Sequence, residues 1–379
     1  MYIIIFLCIL TVILSFCFKK SKAVFIFAFL FAWLIMAFVY GNADEVIYIS
    51  RYANSSIWIG QTEFIYAMII RLFRVFRLSF YQFKAVITLV QLLLVSSTIR
   101  KYAKYPAFVL MLYMIYPFAL NVSQMRNALA TAIVIFALQF ILTEDVNSDI
   151  KIWLFTKNDL LFILFIFIAS GVHTVSLFWI LLLVAKKISL KATIIFTLIF
   201  NLFFAFVFTP ENLLKIFSLF GAMERMANYL TREYRRLYQT VYFHSAIIRV
   251  SAYAIMIIIL LIWLKKTSKK AENTVMLDYA IKANVIILCI VSVMTQYTTE
   301  IYRVQEGLTI LNYIVICNSI KSSTKGNMVT TPKNIMINIG LFLFAIINLW
   351  MIALRDNSML QSVIRPLFDN NLFFESFKF

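Results

Sequence analysis

The sequence predicts an all-α fold: a polytopic transmembrane helical bundle of about 10–12 spans, counted from apolar runs long enough to cross a bilayer, with short amphipathic helices capping the outer face. Three observations predict it. Hydrophobic residues make up 63% of the 379-residue chain, where a soluble domain carries roughly 45–50%. Charged residues make up 14%, against about 25% in an average protein. The mean hydropathy is +0.90. A soluble fold could not hide this much apolar surface.

A span needs about 20 predominantly apolar residues. Such runs fall near 2–18, 23–40, 81–99, 105–120, 122–142, 160–185, 190–208, 245–264, 276–296, 302–320 and 334–352. Residues 2–17 lack the basic start and Ala-x-Ala site of a signal peptide, so they read as a retained first span. Segment 63–78 is ambiguous, because Arg71, Arg74 and Arg77 recur at helical spacing and suit a helix lying on the surface. The run 160–185 is long for one helix. Gly171 and His173 interrupt its middle, so it reads as a broken helix or a re-entrant hairpin. Non-helical backbone at that depth needs protein or a water cavity around it. No repeat at a fixed period and no soluble domain is visible, so residues 1–379 read as one integral membrane domain. The loops 41–62 and 209–243 are too short to fold alone and read as a cap on one face.

The net charge of +18 does not indicate nucleic acid, because the basic residues fall in short loops between apolar runs. Those loops hold Lys19, Lys20 and Lys22; Arg100, Lys101 and Lys104; Lys186, Lys187 and Lys191; Lys265, Lys266, Lys269 and Lys270; and Lys321, Lys325 and Lys333. The positive-inside rule makes them cytoplasmic. All five share one side if 63–78 does not cross and 160–185 is a hairpin. Acids collect in the other loops as Asp44, Glu45, Glu63, Glu211, Glu224, Glu233 and Glu300. In that arrangement the N-terminus, Gln124 and Arg126 face outward. The four cysteines, Cys8, Cys17, Cys289 and Cys317, lie in apolar runs with no metal-site spacing.

Several residues could carry chemistry. Gln124 and Arg126 open a membrane helix whose next residues are small or apolar, with Asn127 adding a donor. Free N–H groups and the dipole at a helix start favour an anion, although an interfacial arginine can simply snorkel to headgroups. The loop Gly41–Tyr52 carries Asp44, Tyr48, Arg51 and Tyr52 at the spacing of one helix face. Its carboxylate could act as a general base; a tyrosine belt at the interface explains the same pattern. His173 stands in an apolar run, where an ionisable residue is a functional candidate by default and a helix–helix hydrogen bond is the plainer reading. His244 reads as an interface residue. Residues 222–239 are rich in arginine and tyrosine, including Arg225 and Tyr229. Arginine forks suit phosphate, and lipid headgroups suit the same segment. Arg303, near Glu300 and Glu306, could be a phosphate ligand or an ion-pair partner. No P-loop, dinucleotide fingerprint or His/Cys cluster occurs, so no cofactor and no metal is expected.

Taken in order, Asp44 with Tyr48 and Tyr52, then Glu63, Gln124-x-Arg126, His173, Arg225-x-x-x-Tyr229 and Arg303 resemble the EpsG family of exopolysaccharide and capsule proteins. The likeness covers most of the chain, carried by short patches. Asn127 stands where a glutamine is expected, and Glu45 where Thr or Ser is common. The resemblance implies a Wzy-like polymerase in the bacterial plasma membrane, a glycosyltransferase that moves a growing chain from undecaprenyl pyrophosphate onto the next lipid-linked oligosaccharide repeat. Under it, Arg126 and Arg303, with Gln124, hold the pyrophosphate, and Asp44 or His173 is the base. Arg225 and Tyr229 bind sugar or a second pyrophosphate, while Tyr48, Arg51, Tyr52 and Glu63 line the substrate site. A chain-length regulator and a flippase are candidate partners beside membrane lipid. Two other readings stand: a GT-C type enzyme using lipid-phosphate sugars, to which the Asp44-Glu45 pair is similar, and a transporter or flippase of the lipid-linked repeat.

Overall fold

A computed structural model describes the chain except residues 1, 55–62, 143–150, 153–154, 208, 210–211, 213–241, 268–270, 297–298, 321–331, 356 and 376–379. The described chain is almost wholly helical. In order the α-helices longer than five residues are α1 (Tyr2–Cys17), α2 (Lys22–Phe38), α3 (Glu45–Ala53), α4 (Phe64–Val75), α5 (Phe80–Tyr102), α6 (Pro106–Ile115), α7 (Phe118–Ser123), α8 (Met125–Leu142), α9 (Lys157–Val172), α10 (Leu181–Lys187), α11 (Leu190–Phe206), α12 (Tyr242–Thr267), α13 (Ala271–Ile287), α14 (Ile290–Gln296), α15 (Arg303–Asn318) and α16 (Pro332–Leu349). Among the described residues, four stretches are long and apolar enough to cross a membrane: Phe80–Tyr102, Met125–Leu142, Ile247–Thr267 and Thr274–Thr295. Shorter apolar helices include α1, α2, α6 and α11.

Local chemistry sets the helix starts. Ser79 and Gln82 cap α5 reciprocally, as Thr156 and Asp159 cap α9, each pair satisfying two orphan N–H groups. Ser21 and Ser189 cap α2 and α11. The expected span 105–120 is divided between α6 and α7 at Tyr116-Pro117, where proline has no N–H to continue the ladder. The run 160–185 is broken, with α9 ending at His173 and a 3₁₀ turn over Thr174–Ile180 before α10. Segment 63–78 contains only the 12 residues of α4, roughly 18 Å of helix, too short for a hydrocarbon core of about 30 Å.

The chain forms two compact units, Met1–Leu177 with Thr309–Phe379, and Phe178–Leu308. In the first, the basic turns come together. The Ala107 N–H donates to the Lys19 carbonyl at 3.1 Å, and the Lys104 N–H to Asn318 Oδ1 at 2.8 Å. Lys104 Nζ reaches the Ile320 carbonyl at 2.6 Å, and Tyr102 OH the Gln139 carbonyl at 3.0 Å. Lys19, buried over the Phe108 ring, has its ammonium value lowered to about 8 by that burial. The ends of α5 and α8 meet at this rim, so Gln124 and Arg126, at the start of α8, lie at its far end. That is the placement expected if 63–78 does not cross.

At that far end the backbone between α2 and α3 is tied down. Gly41 adopts φ +73°, and an added Cβ would meet the Asn370 side chain at 3.0 Å, so glycine is required there. The Tyr40 N–H donates to the Asn370 carbonyl and the Ala43 N–H to the Ser362 carbonyl, which fastens the turn to the C-terminal segment. Beneath it, Lys84 of α5 donates to the Val39 carbonyl and to Glu45 Oε1 at 3.1 Å, both side chains about 95% buried. Glu45 Oε2 in turn accepts from the Gly41 N–H. This buried pair fixes the base of α3.

In the second unit the lysines again gather at one end. Lys282 donates to the Ile188 carbonyl at 3.0 Å, in the turn beside Lys186, Lys187 and Lys191. Lys265 pairs with Asp278.

Breaking a buried pair on one side strands a charge and costs about 3–5 kcal/mol. Lys84→Met should therefore lower the thermal unfolding midpoint of the purified chain sharply. Lys84→Met with Glu45→Leu should recover much of the loss. Calorimetry in detergent checks both.

Candidate functional site

Four elements of the first unit converge at the far end of α8: the middle of α3, the start of α4, the start of α8 and the end of α9. Each brings one side chain. Tyr48 is one helical turn past Asp44, on the buried face of α3. Glu63 precedes α4 and accepts the Ala67 N–H at its carbonyl. Arg126 lies in the first turn of α8. His173 caps α9, its N–H donating to the Ala169 carbonyl at 2.8 Å and its carbonyl accepting from Ser176.

Glu63 joins them. Its Oε1 meets His173 Nδ1 at 2.6 Å, and its Oε2 pairs with Arg126 Nη1. The Thr174 backbone N–H also donates to this carboxylate. Glu63 is 6% exposed, and the burial alone would raise its value. The His173 bond, the Arg126 charge and the Thr174 N–H outweigh that and hold it below its ordinary 4.5. An ionised carboxylate only accepts hydrogen bonds, so His173 Nδ1 carries a proton. With that proton on Nδ1, the atom that can exchange a proton with a ligand is Nε2. That atom is buried and has no hydrogen-bond partner among the described residues.

Close packing makes the bond possible. A Cβ on Gly171 would lie 2.6 Å from the Ile65 side chain, so only glycine lets α9 approach α4 this closely. Tyr48 supports the arginine from the other side. Its hydroxyl accepts from the Arg126 N–H at 3.4 Å, and its ring centre is 5.9 Å from the guanidinium. Tyr48 is buried, which raises its phenol value although Arg126 pulls the other way, so it stays protonated.

The other expected residues divide. Asp44 is half-buried at the start of α3 and acts electrostatically on Tyr48. Arg51 is half-buried on the same helix. Tyr52 donates to the Leu78 carbonyl at 2.6 Å, an anchor for α3. Gln124 is buried and turned toward Asn127 Nδ2 at 3.4 Å. Arg303 opens α15 in the second unit. Arg225 and Tyr229 lie outside the described residues, as do the side chains of His244 and Glu300. Sequence reasoning did not single out Lys84 or Arg249, each an ionisable residue within an apolar run. That isolation is itself the signal that finds them. No cluster of metal-ligating side chains occurs among the described residues.

A model of the EpsG family matches residues 22–364. The chain belongs to the EpsG family, and it is a membrane protein of polysaccharide biosynthesis. No curated protein and no solved structure matches it.

A carboxylate held below its unfolded value contributes stability above that value and loses it as pH falls through the folded one. The chain should thus lose thermal stability as pH drops below 4.5, the ordinary value of Glu63. Glu63→Gln should flatten that acid limb and lower the midpoint at neutral pH. Unfolding curves recorded across pH test this; an unchanged acid limb in Glu63→Gln assigns it to other groups.

Proposed function

We propose that this chain polymerises lipid-linked oligosaccharide repeats at the outer face of the bacterial plasma membrane. The observation that carries the reading is the single carboxylate, Glu63, that holds a guanidinium and an imidazole side by side at the end of the unit away from its lysine-rich rim. Transfer from a polyprenyl diphosphate needs those two groups. One must receive a proton from the attacking hydroxyl, and the other must stabilise the departing diphosphate.

In this reaction the acceptor hydroxyl oxygen attacks the anomeric carbon of the growing chain. The bond from that carbon to the diphosphate oxygen breaks, and undecaprenyl pyrophosphate leaves. His173 Nε2 takes the hydroxyl proton, and Glu63 stabilises the imidazolium that results. A positioned base contributes about 10²–10⁴ in rate. Arg126 stabilises the charge developing on the leaving group, an effect worth about 10²–10³ for one donor. Tyr48 keeps the guanidinium in place. The diphosphate is already an activated leaving group, so no nucleotide enters the step. Of the two candidate bases, the unpartnered Nε2 supports His173, with Asp44 acting on the electrostatics around Tyr48. Glu45 is engaged by Lys84 and the Gly41 N–H, so the acidic pair that a lipid-phosphate-sugar transferase would use is reduced to Asp44.

In cells expressing each variant at wild-type level, Arg126→Gln and His173→Ala should abolish long polymer while single repeats accumulate on lipid, seen by separating the lipid-linked products. Wild-type chain lengths in either variant remove that residue from the mechanism. Repeats trapped on the cytoplasmic side would favour the flippase reading instead.

A further inference from the structure

Two of the four elements that build the Glu63 cluster, α3 and α4, are too short to cross a bilayer. One face of α4 packs inward. Tyr66, Ala67 and Ile70 are buried there, and Ile65 lies against Gly171 of α9. The opposite face carries Phe64, Met68, Leu72, Val75 and Phe76, each more than half exposed. Their helical spacing makes an apolar stripe. Arg71, Arg74 and Arg77 are exposed beside its C-terminal half.

These arginines stand where few cations are expected. α4 leads into the start of α5, at the end of the first unit away from its lysine-rich rim, and the positive-inside rule draws cations to that rim. A helix dipole favours a cation in the last turn, which accounts for Arg74 and not for Arg71 or Arg77. Arg77 is the sharper case. The Leu78 N–H donates to the Phe73 carbonyl at 3.2 Å and the Arg77 N–H to the Arg74 carbonyl at 2.9 Å, the pattern of a Schellman cap. Glycine is usual at its left-handed position, yet Arg77 holds it at φ +54°. Helix closure alone would favour glycine, so the side chain kept there points to a use for its charge.

An apolar stripe bordered by cations fits a membrane surface that carries negative charge. Arg71 and Arg77 lie roughly 9 Å apart by helical rise, a spread that suits the phosphodiesters of neighbouring lipids. We propose that the exposed face of α4 docks on anionic phospholipid in the leaflet at that end of the unit, its arginines on the phosphodiesters and its stripe among the acyl chains, and that this seating holds Glu63 against Arg126 and His173. The link is short. Glu63 directly precedes α4, and its carbonyl accepts the Ala67 N–H, so the carboxylate moves with the helix. The surface stands on the first unit alone and not on the polymerase reading.

The full-length chain in nanodiscs of phosphatidylcholine, alone or mixed with phosphatidylglycerol, tests it. Mass spectrometry reads the lipid that stays bound on extraction into detergent. Hydrogen exchange is read across 64–75 and at the Thr174 N–H, which donates to Glu63. The parent should retain phosphatidylglycerol over phosphatidylcholine. Arg71→Gln and Arg77→Gly should each lower that retention about fivefold, the value of one cation at an anionic leaflet. Glycine suits the left-handed position, so Arg77→Gly keeps the helix end intact. Phosphatidylglycerol should slow exchange at both places in the parent and at neither in the double variant. Equal retention of the two lipids, or retention unchanged in both variants, overturns the proposal. So does a dimer that these substitutions dissociate, because α4 is then a protein interface. Slowing across 64–75 without slowing at Thr174 overturns the link to Glu63.

Discussion

One buried carboxylate organises the first unit. Glu63 stands between α3–α4 and α8–α9 and compensates two cation-forming side chains at once. A charge removed from water is tolerated only with several good partners, and Glu63 has three: an imidazole N–H, a guanidinium and a backbone N–H. The partners come from two parts of the chain, the start of α8 and the His173-Thr174 turn that follows α9, so the carboxylate also fixes where α4 sits against α8 and α9. Gly171 makes the same packing possible by leaving room for Ile65. The position of Arg126 is set twice more, by the Tyr48 hydroxyl on its backbone and the Tyr48 ring beside its guanidinium.

The sharing has a mechanistic consequence. While Arg126 is paired with Glu63, part of the carboxylate's field is neutralised before it reaches His173. A diphosphate that drew Arg126 away would leave Glu63 to His173 alone. In the proposed mechanism, anion capture and base strength are thus coupled through the two oxygens of one side chain.

Much of the architecture is legible in the sequence, and the reasons are local. Apolar runs of membrane length mark the helices, and Ser21, Ser79 and Ser189 mark their starts. Gly171 and His173 mark the break in α9. Arg126, His173 and Tyr48 stand out because each is an ionisable or polar residue where lipid chemistry disfavours one. The pairing was not legible. Glu63 is 110 residues from His173 and 63 from Arg126, and no periodicity links residues so distant. Glu45 reads as half of an outer acidic pair until Lys84 is seen beneath it, 39 residues on. Gln124 accepts from Asn127 Nδ2 in the first turn of α8, a contact that spacing alone does not announce. Pro117 divides a run that hydropathy alone leaves whole. Glu306 reads as a partner for Arg303, yet neither of its oxygens accepts a hydrogen bond among the described residues.

The central claim is that Glu63, through His173 and Arg126, couples formation of a glycosidic bond to departure of a polyprenyl diphosphate. The most direct measurement uses the purified chain in liposomes with a synthetic undecaprenyl-pyrophosphate-linked repeat, counting released undecaprenyl pyrophosphate against new glycosidic bonds. The account expects equal numbers, with both falling together in Glu63→Gln. Bonds formed without release of the diphosphate, or a Glu63→Gln chain as active as the parent, would contradict it.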